Sequence, residues 1–255
     1  MHILVTNDDG VRAPGLLALA QAMQPLGKIT VLAPDQNWTA GGHVKTLHRP
    51  LRVRQAPLED GTPALASDGA PSDCVALAVL GVVKEKIDLV VSGINPNANM
   101  GHDITYSGTV TAAMEAVISR IPGIAFSLAS PGTIPEELDF APAAEVAQRI
   151  VRAALANGLQ PDMLLNVNIP YLPSSELEDI RITRQGLRVY RDKLDERLDP
   201  RGRPYYWIGG DWPTGVPDDG TDIGAVEEGC VSITPLQLDL TDRPRLEQLR
   251  GWDWS

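Results

Sequence analysis

The stretch that decides the fold is HILVTNDDG, residues 2–10. Its first half is an apolar run typical of a strand buried in a protein core, and it leads directly into the adjacent carboxylates of Asp8 and Asp9. Two like charges about 4 Å apart cost roughly 4 kcal/mol at an effective dielectric constant of about 20. Either a positive group compensates this pair, or one of the two carboxylates stays protonated.

Strand-like and helix-like segments alternate from this stretch onward through the first 170 residues. Short apolar runs predict buried strands, and longer runs with apolar residues three or four apart predict helices. Their repetition indicates an α/β fold, in which helices cover both faces of a mostly parallel sheet. The predicted strands are HILVT (2–6), KITVLAP (28–34), LRVRQA (51–56), KIDLVVSG (86–93), GIAFSLA (123–129) and DMLLNVNIP (162–170), and the predicted helices span 14–26, 72–83, 109–119 and 140–158.

The pattern changes from about Ile182 onward. RITRQGLRVY (181–190) and RPYYWIGGDW (203–212) alternate apolar and polar residues, which predicts β-hairpins and long loops that project from the core. GCVSITPLQLDLT (229–241) predicts a late strand. The chain therefore divides into a core domain, residues 1–180, and a C-terminal region, residues 181–255.

Composition excludes several classes of protein. The 255 residues carry a formal net charge of −11, which argues against stable binding of nucleic acid. The two cysteines, Cys74 and Cys230, are far apart and form no CxxC motif, so a disulfide scaffold or zinc site is not expected. We find no apolar run long enough to span a membrane and no signal peptide, so we expect a cytoplasmic protein.

Four polar segments lie at or just after the ends of predicted strands: TNDDG (6–10), PDQNWTAGG (34–42), SGINPNANMGHDITYSGT (92–109) and NVNIP (166–170). In a parallel sheet the first three converge at one edge, where ligands bind. In the first segment, Asp8 and Asp9 either cap a helix and occupy a turn, or bind a hard cation such as Mg²⁺, Mn²⁺ or Ca²⁺. Thr39, in the second segment, either caps a turn or contributes a hydroxyl to that cation. The third segment carries Asn95, Asn97 and Asn99, which are either turn residues or ligands of a metal or phosphate.

Ser107, Gly108 and Thr109 precede an Ala-rich helix. The free N–H groups at a helix N-terminus, together with two hydroxyls, form an anion site, although the same residues also suit an ordinary cap. A dinucleotide fold would need GxGxxG after the first strand, where this chain has two carboxylates instead. A haloacid-dehalogenase-like phosphatase would need DxDGT, and that spacing is also absent.

These motifs together resemble the survival protein E (SurE) family of metal-dependent 5′(3′)-nucleotidases. The resemblance extends from Met1 to about Thr241. It implies a Rossmann-like, mostly parallel sheet with a protruding C-terminal β-hairpin region, and homodimers or homotetramers that form through that arm. The stretches that carry it are ILVTNDDG, APDQNWTAGG, GAPSDCVALA, DLVVSGIN, NMGHDITYSGTVTAAMEA, LNVNIP, YYWIGG and GTDIGAVEEGCVSITPL.

The resemblance also implies roles for individual residues. Thr39 stands where the family has a serine, and Asn97 stands where the family has a glycine. The implied ligands of one divalent cation per subunit, Mg²⁺ or Mn²⁺, are Asp8, Asp9, Thr39 and Asn95, and the implied phosphate-binding residues are Asn99, Ser107, Gly108 and Thr109.

The expected reaction is hydrolysis of nucleoside 5′- and 3′-monophosphates by metal-ion catalysis. Asp8 or Asp9 would in addition transfer a proton, and the sequence does not distinguish between the two. Two alternatives belong to other classes: a sensor that binds nucleotides without turnover, and an assembly protein in which the hairpins carry the function.

Overall fold

A nine-stranded sheet forms the centre of the protein in the computed structural model, which describes residues 1–130 and 138–254. The strands are β1 (His2–Thr6), β2 (Lys28–Pro34), β3 (Val53–Gln55), β4 (Ala64–Ser67), β5 (Leu89–Asn95), β6 (Gly123–Ala129), β7 (Leu164–Pro170), β8 (Ile180–Ile182), β9 (Leu187–Leu198), β10 (Pro204–Val216) and β11 (Val231–Pro235). The order in the sheet is β3-β4-β2-β1-β5-β6-β7-β11-β8, and β9 and β10 form a separate antiparallel hairpin. All pairs in the sheet are parallel except β3–β4 and β7–β11.

Helices cover both faces of this sheet. No helix within the described ranges combines the length and apolarity that are needed to cross a bilayer. The helices are α1 (Pro14–Met23), α2 (Pro71–Leu77), α3 (Gly108–Ile118), α4 (Ala141–Asn157), α5 (Asp222–Glu227) and α6 (Arg243–Arg250), with 3₁₀ turns at Gln24–Leu26 and Gly101–Thr105 and a π-helical turn at Ala78–Val82.

The core forms on both sides of β1, whose side chains alternate between the two faces of the sheet. Ile3 and Val5 pack with the apolar residues of α1 and α4, whereas Leu4 packs with those of α2 and α3. All three side chains are fully buried. Each contributes about 1.5–3 kcal/mol by leaving water, so β1 and the turn that follows it are firmly held.

The sheet reverses its direction of growth at β1. The chain extends the sheet to one side through β2 and β4, and to the other side through β5, β6 and β7. In α/β proteins, ligands bind outside the carboxyl ends of the strands at such a switch point. The loops after β1, β2 and β5 meet here, as the sequence predicts.

The α/β fold with a protruding hairpin is confirmed, and the structure adds three elements that the sequence reading missed. β4 is only four residues long and has no β-branched residue, and α5 and α6 are short helices in Gly-, Asp- and Pro-rich sequence. The late strand, β11, lies within the core sheet between β7 and β8. The assignment of residues 181–255 to oligomerisation stays a prediction.

Candidate active site

A cleft of about 530 Å³ opens at the switch point of the sheet. Of the eight residues that the sequence predicts for the site, five line the cleft: Asp8, Thr39, Asn95, Asn99 and Ser107. Gly108 and Thr109 contact Asp8 at the start of α3. Asp9 follows Asp8 in the turn after β1 and is not among the residues that line the cleft. The structure therefore brings together residues that are as much as 101 positions apart in the chain.

Asp8 is almost fully buried against the N-terminus of α3. Its Oδ1 accepts a hydrogen bond of 2.5 Å from the Thr109 hydroxyl, and the backbone amides of Thr109 and Gly108 also bond to the carboxylate. A Cβ on Gly108 would lie 2.6 Å from the Asp8 Cβ, so only glycine permits this approach. The helix terminus that the sequence predicts as an anion site thus already faces an anionic group.

The two carboxylates have perturbed proton affinities. Burial raises the pKa of Asp8, although the hydrogen bonds from Thr109 and the backbone amides act in the opposite direction. Burial, together with the neighbouring charge of Asp8, raises the pKa of Asp9 to about 7. No Lys, Arg or His of the described residues forms an ion pair with either carboxylate. The described residues therefore supply no compensating positive charge, and in the metal-free protein the raised pKa of Asp9 favours its protonated form near neutral pH.

The turn after β1 is fixed by Asn7, which is fully buried. Its Oδ1 accepts from the Gly10 amide at 3.2 Å, and its Nδ2 donates to the Gly10 carbonyl at 3.0 Å. The Trp38 amide donates to the Asp8 carbonyl at 2.8 Å, which ties the loop after β2 to this turn. Asp8 and Asp9 therefore lie at the tip of a rigid turn.

Thr39 lies in the loop after β2 and its side chain is exposed to the cleft. Its backbone amide donates to Asn37 Oδ1 at 2.6 Å, so the turn is capped by Asn37. The Thr39 hydroxyl has no hydrogen-bond partner among the described residues. The hydroxyl is therefore free to bind a ligand in the cleft.

Asn95 ends β5 and is mostly buried. Its Nδ2 donates to the Asn97 carbonyl at 2.5 Å, which fixes the amide plane. With the nitrogen engaged, the amide oxygen is the atom of Asn95 that is left for a ligand.

Asn99 is held by a network that the sequence reading did not identify. The backbone amide of Asn99 donates to Asn168 Oδ1 at 2.8 Å. Its backbone carbonyl accepts from Asn166 Nδ2 at 2.8 Å and from Asn168 Nδ2 at 3.0 Å. Its side-chain Nδ2 donates to Ser127 Oγ at 2.7 Å. The sequence NVNIP (166–170) does point to such a network, because two asparagines inside a buried strand need polar partners.

A buried aspartate of α5 locks the end of the same loop. Asp222 Oδ2 accepts from the Gly101 amide at 2.8 Å, and its Oδ1 accepts from the Gly186 amide at 2.7 Å. One carboxylate thus joins the Asn99 loop to the chain that enters the hairpin. The sequence reading missed this residue because its partners lie 121 and 36 positions away.

A second buried carboxylate, Glu115 of α3, anchors the loop that carries Thr39. Its Oε1 accepts from Lys45 Nζ at 2.8 Å, and its Oε2 lies 3.0 Å from His43 Nε2. Burial alone would raise the pKa of Glu115, but the hydrogen bonds from His43 and Lys45 bring it below its ordinary value. Helix α3 therefore positions both the Asp8 carboxylate and the loop of Thr39.

The donor atoms at the cleft suit a hard cation. Asp8 and Asp9 offer carboxylate oxygens, and Thr39 and Asn95 offer neutral oxygens, which are the ligand types of Mg²⁺, Mn²⁺ and Ca²⁺. Within residues 1–130 and 138–254, no group of three or more His, Cys, Asp or Glu side chains could hold a metal ion. A cation at this site would therefore depend on the neutral oxygens and water to complete its coordination.

Known proteins provide an independent comparison. The Survival protein SurE family model matches residues 3–192. The chain is 53% identical to the 5′-nucleotidase SurE of Herpetosiphon aurantiacus, with 100% of this chain and 99% of the relative covered. It is 51% identical to the 5′-nucleotidase SurE of Chloroflexus aggregans, with 100% of both covered. The crystal structure of the Sure protein from Aquifex aeolicus matches with a TM-score of 0.82 at 41% identity and covers 98% of each chain.

The sheet order defines a Rossmann-like α/β protein, a class in which ligands bind at the switch point. Within that class, the matched residues and the full-length relatives identify the group. The chain belongs to the SurE family.

Proposed function

We propose that the protein is a metal-dependent 5′-nucleotidase that hydrolyses nucleoside 5′-monophosphates, and also 3′-monophosphates, to nucleoside and phosphate. The observation that carries the proposal is the Asp8–Asp9 pair, which lies at the switch point with no compensating cation among the described residues. The names of the full-length relatives support the same reaction.

One divalent cation per subunit, Mg²⁺ or Mn²⁺, would be held by Asp8, Asp9, the Thr39 hydroxyl and the Asn95 amide oxygen. A bound cation of this kind neutralises phosphate charge and lowers the pKa of water. Asp8 is held in place by Thr109, and Asn95 by Asn97, so the protein presents these oxygens with little reorganisation.

Four residues would bind the phosphate: Asn99, Ser107, Gly108 and Thr109. Ser107 Oγ accepts from the Val110 amide at 3.1 Å and caps α3, so its proton remains available to donate to a phosphate oxygen. Of the four, Asn99 and Ser107 line the cleft, whereas Gly108 and Thr109 bond to Asp8 in this structure. In the metal-free protein, burial and the charge of Asp8 raise the pKa of Asp9 to about 7, and a cation bound by both carboxylates would favour their ionised forms. Either Asp8 or Asp9 would in addition transfer a proton.

The protein would work in the cytoplasm, on a nucleoside monophosphate and without stable binding of nucleic acid. Its assembly into a homodimer or homotetramer would use the β9–β10 hairpin, residues 187–216. The net charge of −11 supports the exclusion of nucleic acid.

Phosphate release from adenosine 5′-monophosphate tests the reaction. Removal of metal with a chelator should abolish release, and either Mn²⁺ or Mg²⁺ should restore it, because the carboxylate pair has no other positive partner in the described residues. The Asp8→Asn variant, treated in the same way, serves as the control and should stay inactive. Full activity in a verified metal-free sample would contradict the mechanism, and nucleotide binding without release would favour the sensor.

A further inference from the structure

The cleft extends beyond the residues proposed for metal and phosphate. Its outer part is lined by Tyr106 and by three residues of the hairpin: Arg188, Trp212 and Pro213. The lining therefore includes both the polar groups proposed for metal and phosphate and the flat side chains of Tyr106 and Trp212. A volume of about 530 Å³ is in the range of small-molecule sites, so one ligand can contact both kinds of side chain.

A β-bulge brings Trp212 to the cleft. Asp211 pairs with Arg191 and Thr214 pairs with Val189, so Trp212 and Pro213 together face the single residue Tyr190. Bulges of this type redirect side chains next to functional sites. Pro213 suits the position because it has no N–H to contribute to the ladder.

The root of the hairpin is firmly attached to the core. Arg188 Nε donates to Asp103 Oδ2, and Tyr190 Oη donates to Asp103 Oδ1, both at 2.5 Å. Asp222 adds a further attachment at Gly186. The hairpin therefore presents Trp212 from a fixed base. The charge of Arg188 is paired with Asp103, which holds its guanidinium at the root of the hairpin.

The indole of Trp212 is 64% exposed, and no aromatic ring stacks on it in the described part of the chain. Its hydrocarbon surface is therefore left open at the mouth of a polar cleft. A ligand that complements this lining carries a phosphate, which the polar groups would bind, and a flat aromatic group, which the indole would contact.

We propose that Trp212 stacks on the nucleobase and gives the enzyme its preference for nucleotides over simpler phosphomonoesters. The inference rests on the proposed function. Every base has a π-face, so stacking of this kind serves nucleoside monophosphates in general and does not select a single base. Arg188 and Pro213 line the same cleft as the indole.

The test compares adenosine 5′-monophosphate with ribose 5-phosphate, which lacks the base. Trp212→Ala should lower the ratio of the two kcat/KM values by about tenfold, which corresponds to about 1.4 kcal/mol and lies within the range for base stacking. Trp212→Phe should keep the ratio within about threefold, since it retains an aromatic face. Because Trp212 is exposed, the melting temperature of both variants should match that of the wild type.

Trp207→Ala is the matched control. Trp207 lies on the same strand and is 63% exposed, but it pairs regularly with Asp195 and does not line the cleft. In Trp207→Ala, the ratio of kcat/KM for adenosine 5′-monophosphate to that for ribose 5-phosphate should not change. An equal fall in both tryptophan variants, or an unchanged ratio in Trp212→Ala, would overturn the inference.

A binding measurement separates the two proposals. If the wild type hydrolyses neither substrate, the proposed function has failed, and calorimetry with adenosine 5′-monophosphate and Mn²⁺ still decides the role of Trp212. A dissociation constant about tenfold weaker in Trp212→Ala supports stacking, and an equal constant in both proteins overturns it.

Discussion

Asp8 and Asp9 each supply a carboxylate that we expect catalysis to require. Asp8→Asn and Asp9→Asn should each lower phosphate release at least about a hundredfold, which is the scale for loss of one electrostatic catalytic group. Both variants should fold, because asparagine keeps an oxygen that accepts hydrogen bonds. Since burial and the charge of Asp8 disfavour the ionised form of Asp9, Asp9→Asn should also raise the melting temperature of the metal-free protein.

Two measurements on each variant check this prediction: initial rates at saturating Mn²⁺ and thermal unfolding in the presence of chelator. Near-normal turnover in either variant would show that the substituted carboxylate has only a structural role.

Thr39 differs from the serine that is usual in the family, and its hydroxyl makes no hydrogen bond in the described structure. Thr39→Ser should retain activity, because the oxygen stays and only a methyl group is lost. Thr39→Val removes the oxygen and should raise the Mn²⁺ concentration needed for half-maximal rate. Since Asn37 caps the turn, the melting temperature of Thr39→Val should stay close to that of the wild type.

A full metal-activation curve, measured alongside the melting temperature, separates ligation from capping. A lower melting temperature with an unchanged curve would indicate a cap, with a cost of about 1 kcal/mol, and would exclude Thr39 from the metal site.

Some cleft residues could be predicted from the sequence and others could not, because only some of them directly follow a strand of the parallel sheet. Asp8, Thr39 and Asn95 follow predicted strands, so the rule for parallel sheets places them at one edge. Asn168 and Trp212 could not be placed in this way. Asn168 contacts Asn99 through the interior of the sheet, and Trp212 reaches the cleft only because of a bulge whose position depends on strand register.

At the scale of elements, Glu115 links α3 to the loop that carries Thr39. Glu115→Gln should lower the free energy of unfolding at pH 7 by about 2 kcal/mol, the scale of hydrogen bonds to a charged group. The pKa of Glu115 is lower in the folded state, so its stabilising effect is present above its ordinary pKa of 4.5 and is lost as the pH falls through the folded value. The difference in free energy of unfolding between Glu115→Gln and the wild type should therefore disappear in acid.

Urea unfolding at pH 7 and below pH 4 measures this difference. Glu85→Gln, which removes an exposed ion pair with Lys28, is the matched control and should change stability little at either pH. Equal stability of Glu115→Gln and wild type at pH 7 would contradict the anchoring role.

Elements with strong periodicity could be predicted and short ones could not. α4 has 17 residues and a clear apolar face, so its pattern decides its structure. α5 has six residues and is stabilised by the Thr221 cap and by the contacts of Asp222, which are set by tertiary structure. The same holds for β11, whose place between β7 and β8 depends on pairing that its own sequence does not specify.

At the scale of the whole molecule, the hairpin exposes large apolar side chains, with Leu194, Tyr206 and Ile208 on one face and Trp207 on the other. A patch of this kind is unusual on a monomer, so we expect another subunit to cover it. Replacing residues 195–207 with Asn-Gly joins the ladder partners Leu194 and Ile208 through a two-residue turn. The shortened protein should shift towards smaller species in light scattering.

The root of the hairpin remains intact in this variant, so metal-dependent phosphate release should persist. An unchanged mass distribution would count against the hairpin as the assembly element. Substituting Trp252, an exposed tryptophan outside the hairpin, gives the control for general loss of apolar surface.

Asp222 has a consequence for the order in which the protein matures during synthesis. All eight of the predicted metal and phosphate residues lie within the first 109 positions and leave the ribosome early. The loop that carries Asn99 can be locked only after Asp222 has emerged, more than a hundred residues later. The predicted metal and phosphate residues are therefore synthesised long before the contacts that fix their loop can form. The cleft is completed only when the C-terminal region packs on the core.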